Sequence, residues 1–306
     1  MMTKAVTAVL IGSLLFVNPT WAAPLRVVTT TEDLAAIVRE VGGPLVEVES
    51  QTRGTQDPHF LEARPSLILK ASRADLFIEI GLGLEVGWVP AVLVAARNPA
   101  IQPGASGYLD VSRDIKPLEI PSAPVDRSQG DVHPLGNPHY WLDPENGKVI
   151  SREIARSLMS LLPDRSQVIE QNQKEFARRL DEAMARWKDR MKPHQGAKIV
   201  TYHNSWTYFA RRFGLDVVGY VEPKPGVAPS PAHLNQLIAL MKQEKAKLII
   251  MEPYFGRSTP DLLSRETGAK VLVLPPSVGG VEGIKTYFDL FDYLADQLTT
   301  ALSKGS

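Results

Sequence analysis

Apolar and polar positions follow two rhythms along this chain. Leu25-Arg-Val-Val-Thr-Thr is β-branched and apolar, Val46-Glu-Val-Glu-Ser alternates with period two, and Ala74-Asp-Leu-Phe-Ile-Glu-Ile reads as a further strand. Between them, Glu32 to Val41 spaces its apolar residues three and four apart before Gly42-Gly43 stops it, and Ser66 to Ser72 is helical. Strands separated by helices predict parallel βαβ units. Residues 98–138 are rich in Pro, Gly and Ser and predict loop, with one short strand over Ser106 to Val111.

From Pro144 to Met191 the pattern is helical, with a break near Leu162-Pro163-Asp164. Ser166 to Met191 predicts one long helix, its charges interleaved with Ile169, Phe176, Leu180, Met184 and Trp187. A second α/β unit follows. Its strands are Lys198-Ile-Val-Thr-Tyr, Asp216-Val-Val-Gly-Tyr, Lys247-Leu-Ile-Ile-Met and Lys270-Val-Leu-Val-Leu. Its helices run over Trp206–Phe213, His233–Lys242, Pro260–Thr267 and Gly283–Leu302. The predicted fold class is therefore α/β: two lobes with parallel sheets joined by a long backbone helix. The expected division is 23–163 for the N-terminal lobe, 164–192 for the linking helix and 193–306 for the C-terminal lobe. Open parallel sheets bind ligands at the carboxyl ends of their strands, so the cleft between the lobes is the expected site.

Residues 1–22 have a different pattern. Lys4 precedes an apolar run from Ala5 to Val17, and small residues follow around Ala22-Ala23. This reads as an export signal cut after Ala22, because the run is shorter than the roughly 20 residues of a membrane span. The mature chain is expected to be a soluble periplasmic protein. Losing Lys4 leaves 33 basic and 34 acidic residues, a balance that argues against general nucleic-acid binding. The chain has no cysteine. Disulfides, thiolate metal sites, cysteine nucleophiles and a lipid attached at the signal junction are all excluded.

Candidate chemistry then falls to histidine. His59 lies in Thr55-Gln-Asp-Pro-His-Phe beyond the second strand. His139 lies in Asn137-Pro-His-Tyr-Trp-Leu-Asp-Pro, where the long loop meets a helix. His203 lies in Thr201-Tyr-His-Asn-Ser-Trp after the first strand of the second half. All three are placed to face the cleft, and three neutral imidazoles suit a divalent transition metal, zinc above all. Spacing alone equally allows three unrelated loop histidines. The other three read blandly: His133 as a solvated loop residue that could help capture metal, His194 as a helix C-terminal residue, and His233 as a structural residue at a helix start.

These contexts together resemble the solute-binding proteins of ABC importers for zinc and manganese, the cluster A-I metal-binding family. The resemblance runs through Gly54-Thr-Gln-Asp-Pro-His-Phe, Gly81-Leu-Gly-Leu-Glu, Asn137-Pro-His-Tyr-Trp-Leu-Asp-Pro, Tyr202-His-Asn-Ser-Trp-Thr-Tyr-Phe and Met251-Glu-Pro-Tyr-Phe. It implies two α/β lobes on a rigid helix with one metal between them, and by position it makes His59, His139 and His203 metal ligands. The family's fourth ligand, an Asp after the last strand of the second lobe, is replaced here by Pro276 within Leu274-Pro-Pro-Ser-Val-Gly-Gly. Water, Glu282 or Glu252 could take its place. Asp57, Asn137, Asn204 and Asp143 are the nearest candidates for orienting the imidazoles. A site of three imidazoles favours zinc over manganese.

The resulting expectation is a non-enzymatic periplasmic carrier that delivers zinc, less readily manganese, to an ABC membrane permease. The expected carrier is a monomer, carries no lipid anchor, and has a periplasmic metallochaperone as a further candidate partner. Two alternatives remain: from the residues themselves, an exported zinc-dependent hydrolase with Glu252 or Glu282 as base, and, as the resemblance also allows, an adhesin on the same fold.

Overall fold

A computed structural model describes residues 23–125, 130 and 132–303. The expected export segment, residues 1–22, lies outside the described residues, as does part of the long loop. The elements run β1 (Leu25–Thr29), α1 (Glu32–Gly42), β2 (Val46–Ser50), α2 (Pro65–Ser72), β3 (Leu76–Glu79), α3 (Val89–Ala96), β4 (Tyr108–Asp110), α4 (Pro144–Leu161) and α5 (Ser166–Met191). They continue as β5 (Lys198–Thr201), α6 (Thr207–Phe213), β6 (Asp216–Tyr220), α7 (Pro231–Glu244), β7 (Leu248–Met251), α8 (Ser258–Thr267), β8 (Lys270–Val273) and α9 (Tyr287–Ser303). The strands form two all-parallel sheets with the same winding, β2-β1-β3-β4 and β6-β5-β7-β8.

Local chemistry sets the helix ends. Thr31 caps α1 by accepting from Leu34 N, Glu32 and Asp33 fill its first turn, and Gly43 ends it at φ +52°. Asp143 caps α4 by accepting from Glu145 N at 2.9 Å, with Pro144 next in line. α3 differs from expectation. Its sequence, Val-Pro-Ala-Val-Leu-Val-Ala-Ala, is apolar almost all round, so no amphipathic period marks it as a helix. It packs against α2.

The long helix α5 spans 26 residues and buries Ile169, Phe176, Leu180, Met184 and Trp187. These side chains join one continuous core with α1, α4 and α9, so the spine is packed along its length against both lobes. Polar bonds also cross between lobes. Trp141 Nε1 donates to Pro276 O at 2.8 Å, Tyr287 Oη donates to Trp141 O, and Arg212 holds Asp143 through two bonds of 2.6 and 2.8 Å. Buried Asp33 accepts from Val278 N at 3.0 Å and from Ser277 Oγ. Gly54 completes this seam. A Cβ there would lie 2.0 Å from Val278 O, so only glycine lets the loop after β2 rest on the loop after β8.

Asp33 makes this seam sensitive to pH. Burial pushes its carboxyl up to about 7, against the hydrogen bonds from Ser277 and Val278. The folded protein therefore holds a proton that the unfolded chain has lost, and the associated stability falls as pH rises through 7. Comparing Asp33→Asn with the parent by denaturant unfolding at pH 6 and pH 8 should show the parent losing on the order of 1 kcal/mol more than the variant over that interval. Parallel profiles would mean that Asp33 titrates normally.

Candidate metal centre

Each lobe delivers its imidazole from a strand end or a capped turn. His203 stands two residues beyond β5. His59 stands in the loop that leaves β2, and His139 stands just before the turn leading into α4. Asp57-Pro58-His59 and Asn137-Pro138-His139 use the same device. The side-chain oxygen two residues back accepts from both the His backbone N and its Nδ1. The distances are 2.9 and 2.7 Å at His59, and 2.9 Å for both at His139. The intervening proline fixes φ, which holds the chain in this turn.

The third imidazole is held across strands. Thr201 of β5 pairs with Tyr220 of β6. The residues two further along, His203 and Glu222, are therefore neighbours, and His203 Nδ1 meets Glu222 Oε2 at 2.7 Å. Glu222 is the orienting residue that sequence reasoning missed. Its signal was the equal offset from two parallel strands that turn out to be adjacent. Of the expected orienting residues, Asp57 and Asn137 touch imidazoles. Asp143 instead caps α4 and binds Arg212, and Asn204 bonds Glu119 and Thr207.

The proton positions at His139 follow from the bonds. Asn137 Nδ2 donates to Glu119 Oε2 and Asn204 O, both at 2.9 Å, so Asn137 Oδ1 must accept from His139 Nδ1. Coordination at His139 would thus fall to Nε2, and the Nδ1 bonds of His59 and His203 leave the same atom for that role. Nε2 of His139 and of His203 is buried with no hydrogen-bond partner among the described residues. Glu119 sits behind this arrangement at φ +56° and accepts from Asn137, Asn204 and Thr207. One carboxylate thereby ties the turn holding His139 to the segment after His203.

All three histidines are buried, and one ring nitrogen of each lies within 4.8 Å of the others. Their ring centres are 5.0, 5.1 and 5.2 Å apart. Nitrogens bonded to one tetrahedral ion at ~2.0–2.1 Å place imidazole centres about 5.2 Å apart. The three rings are therefore already spaced for a single ion. Their proton affinities differ. Burial, then the neighbouring imidazoles, hold His139 well below the ordinary histidine range. Burial also lowers His203, but the Glu222 hydrogen bond and the charges of Glu252, Glu222 and Asp57 outweigh it and raise it. Burial works against the Asp57 carboxylate, yet the bond to His59 and its charge hold Asp57 below its usual range.

The remaining candidates are placed differently. Glu282 is exposed. Glu252 is fully buried beside His203 and accepts through Oε1 from Ser205 and Trp206, and burial pushes its carboxyl up to about 7. Neither belongs to the three-imidazole group. His194 is half-buried after α5, away from the imidazole cluster, and His233 bonds Tyr220 O at 3.0 Å from the start of α7. The solvated reading of His133 needs correction. Its ring lies 5.4 Å from that of His59 and 6.4 Å from that of His139, and it lines the same cavity of about 220 Å³ as His139 and His203. Gly130, where a Cβ would lie 2.6 Å from Pro225 O, and His133 both stand at the cleft.

Two parallel-sheet lobes on a packed helical spine, with histidines converging in the seam, define a solute-binding protein of the cluster A-I class. The chain belongs to the family described as zinc-uptake complex component A, periplasmic, which matches residues 27–301. The high-affinity zinc uptake system protein ZnuA of Yersinia pestis is 24% identical over 313 residues, covering 96% of each chain. The manganese ABC transporter substrate-binding lipoprotein PsaA of Streptococcus pneumoniae is 25% identical over 289 residues, covering 92% of this chain and 90% of its own. A crystal structure of ZnuA superposes with a TM-score of 0.77 at 26% identity, covering 92% of this chain and all of that one.

Glu222→Gln tests the electrostatic assignment. Without the carboxylate, the pKa of His203 read by NMR in the metal-free protein should fall, and zinc affinity at neutral pH should drop roughly 10–100-fold, the usual effect of losing a ligand's supporting group. An unmoved His203 titration would assign its raised basicity to another group.

Proposed function

We propose that this protein captures a divalent transition metal, zinc foremost, outside the cytoplasmic membrane and hands it to an ABC import permease. Family membership supports the carrier role. The observation that carries the ligand assignment is the spacing of His59, His139 and His203, with each Nδ1 engaged by Asp57, Asn137 or Glu222. The metal is cargo here, and the residues act as its reversible donors.

Ligand chemistry supports the choice of zinc. Three imidazole nitrogens match a small four-coordinate ion, whereas manganese favours an oxygen-rich and higher-coordinate set. The family loop that would bring a carboxylate is fastened elsewhere: Pro276 O accepts from Trp141, and the next two residues bind Asp33. Asp57 and Glu222 stand behind two of the imidazoles and can offset the dication's charge without coordinating it. Residues 1–22 serve in this reading as a cleaved export signal. The lobes are assigned as 23–163 and 193–306, with 164–192 as the linking segment.

Release is linked to protons. His203, raised in proton affinity, carries a proton over a higher pH range than an ordinary imidazole and must give it up to bind metal. Zinc affinity should therefore decline as pH falls toward 6, and zinc binding should release protons in increasing number as pH falls through the range where His203 is charged. Calorimetry in buffers of different ionisation enthalpy reads those protons directly. Zinc titration with elemental analysis should give one ion per chain. His59→Ala, His139→Ala and His203→Ala should each weaken binding at least ~100-fold, about 2.7 kcal/mol. Parental affinity in all three variants would remove the proposed site.

A further inference from the structure

We propose that His133 supplies a fourth imidazole to the bound metal and so completes a four-nitrogen site. This rests on the three-histidine reading above and goes beyond it.

A tetrahedral ion held by three protein donors has one open position. Among the described residues no carboxylate joins the imidazole cluster. Pro276 occupies the family's acidic position, Glu282 is on the surface, and Glu252, bonded through Oε1 to Ser205 and Trp206 and with Oε2 buried and without a hydrogen-bond partner among the described residues, lies outside the group of ligand atoms within 4.8 Å of one another. His133 is the titratable side chain nearest to filling that position from the cleft side. Its ring centre is 5.4 Å from that of His59, close to the 5.0–5.2 Å that relates the other three rings. The distance to His139 is 6.4 Å, and the group whose ring nitrogens lie within 4.8 Å of one another holds His59, His139 and His203 only, so of the three spacings a fourth ligand needs, the one to His59 is met and the ring must move inward for the others. Nε2 of His133 is buried.

The backbone on either side of His133 holds it at the cleft. Gly130 and Gly136, both at φ +106°, turn the chain on either side of it, a conformation that side-chain-bearing residues rarely adopt. Gly130 packs closely on the opposite lobe: a Cβ there would lie 2.6 Å from Pro225 O. Gly136 N closes a turn onto His133 O at 3.1 Å. His133 thus stands on a loop seated across the cleft, facing the imidazoles from the open side. A fourth neutral nitrogen excludes water from the ion and removes the oxygen donor that manganese would favour, which makes His133 a selectivity residue.

X-ray absorption at the zinc edge, on the mature full chain loaded with one equivalent of zinc, tests this. The parent should fit four imidazole nitrogens at about 2.0–2.1 Å. His133→Ala should fit three imidazoles and one oxygen, lose roughly 10–100-fold in zinc affinity, and narrow the zinc-over-manganese affinity ratio, while still binding one ion. His194→Ala, after α5 and outside the imidazole cluster, serves as control and should match the parent. If His133→Ala keeps the parental spectrum and affinity while His139→Ala loses zinc, the His133 proposal fails and the three-histidine site stands. If His139→Ala also keeps one tightly bound zinc with the parental spectrum, both fail.

Discussion

Three neutral imidazoles must be kept side by side in a buried cavity with their coordinating nitrogens turned away from water. This constraint organises the rest of the structure. Burying a polar nitrogen without a hydrogen bond costs free energy, and Nε2 of His139 and of His203 stand in that position. The rings cannot settle their own orientation, so each is fixed from behind. Asp57, Asn137 and Glu222 each accept from one Nδ1. Asn137 is itself fixed by Glu119, which reaches into the other lobe through Asn204 and Thr207. Ring orientation at the cleft is thus tied to lobe orientation.

That tie needs lobes that do not swing apart. A wide hinge would separate His59 and His139 from His203, since the first two come from the N-terminal lobe and its loop and the third from β5. The structure resists it twice. The spine helix α5 shares one continuous core with α1, α4 and α9. Separate polar struts then fasten the seam: Trp141 to Pro276, Tyr287 to Trp141, Arg212 to Asp143, and Asp33 to Val278. Breaking the seam would expose buried apolar surface and leave the Asp33 carboxyl with lost partners. Metal exchange is therefore better served by small loop movements than by opening of the whole cleft.

Much of this architecture is legible in the sequence, because alternating or β-branched strands and amphipathic helices have distinct periods. The strand Val46–Ser50 and the helix Ser166–Met191 coincide with their predicted spans. The helix Val89–Ala96 is not legible, because a nearly all-apolar segment has no face to reveal. At the site, the Asp-Pro-His and Asn-Pro-His turns are local, and their orienting residues can be guessed two positions away. Glu222 is distant in sequence from His203 and becomes its neighbour only once the β5–β6 register is fixed. Asp143 is close to His139 in sequence, but its position at the start of α4 gives it the helix cap and Arg212 instead. His133 reads as an ordinary polar loop residue, and only its distances to the rings of His59 and His139 place it at the cleft.

The two conflicting demands on a carrier, tight capture and ready release, meet in the unequal basicity of the imidazoles. His139, held low by burial and by its neighbours, stays neutral through the physiological range and presents a donor at no proton cost. His203, held high by Glu222, is the more basic donor and the one for which protons compete. An arriving metal ion therefore meets preorganised nitrogen at His139 and competes with protons at His203 over a higher pH range than at an ordinary imidazole. The same carboxylate that makes His203 a stronger ligand also makes its release sensitive to acid. With the whole chain near electrical balance, long-range attraction contributes little to capture. Selection of the cation rests on this short-range set of nitrogens and the two carboxylates behind them.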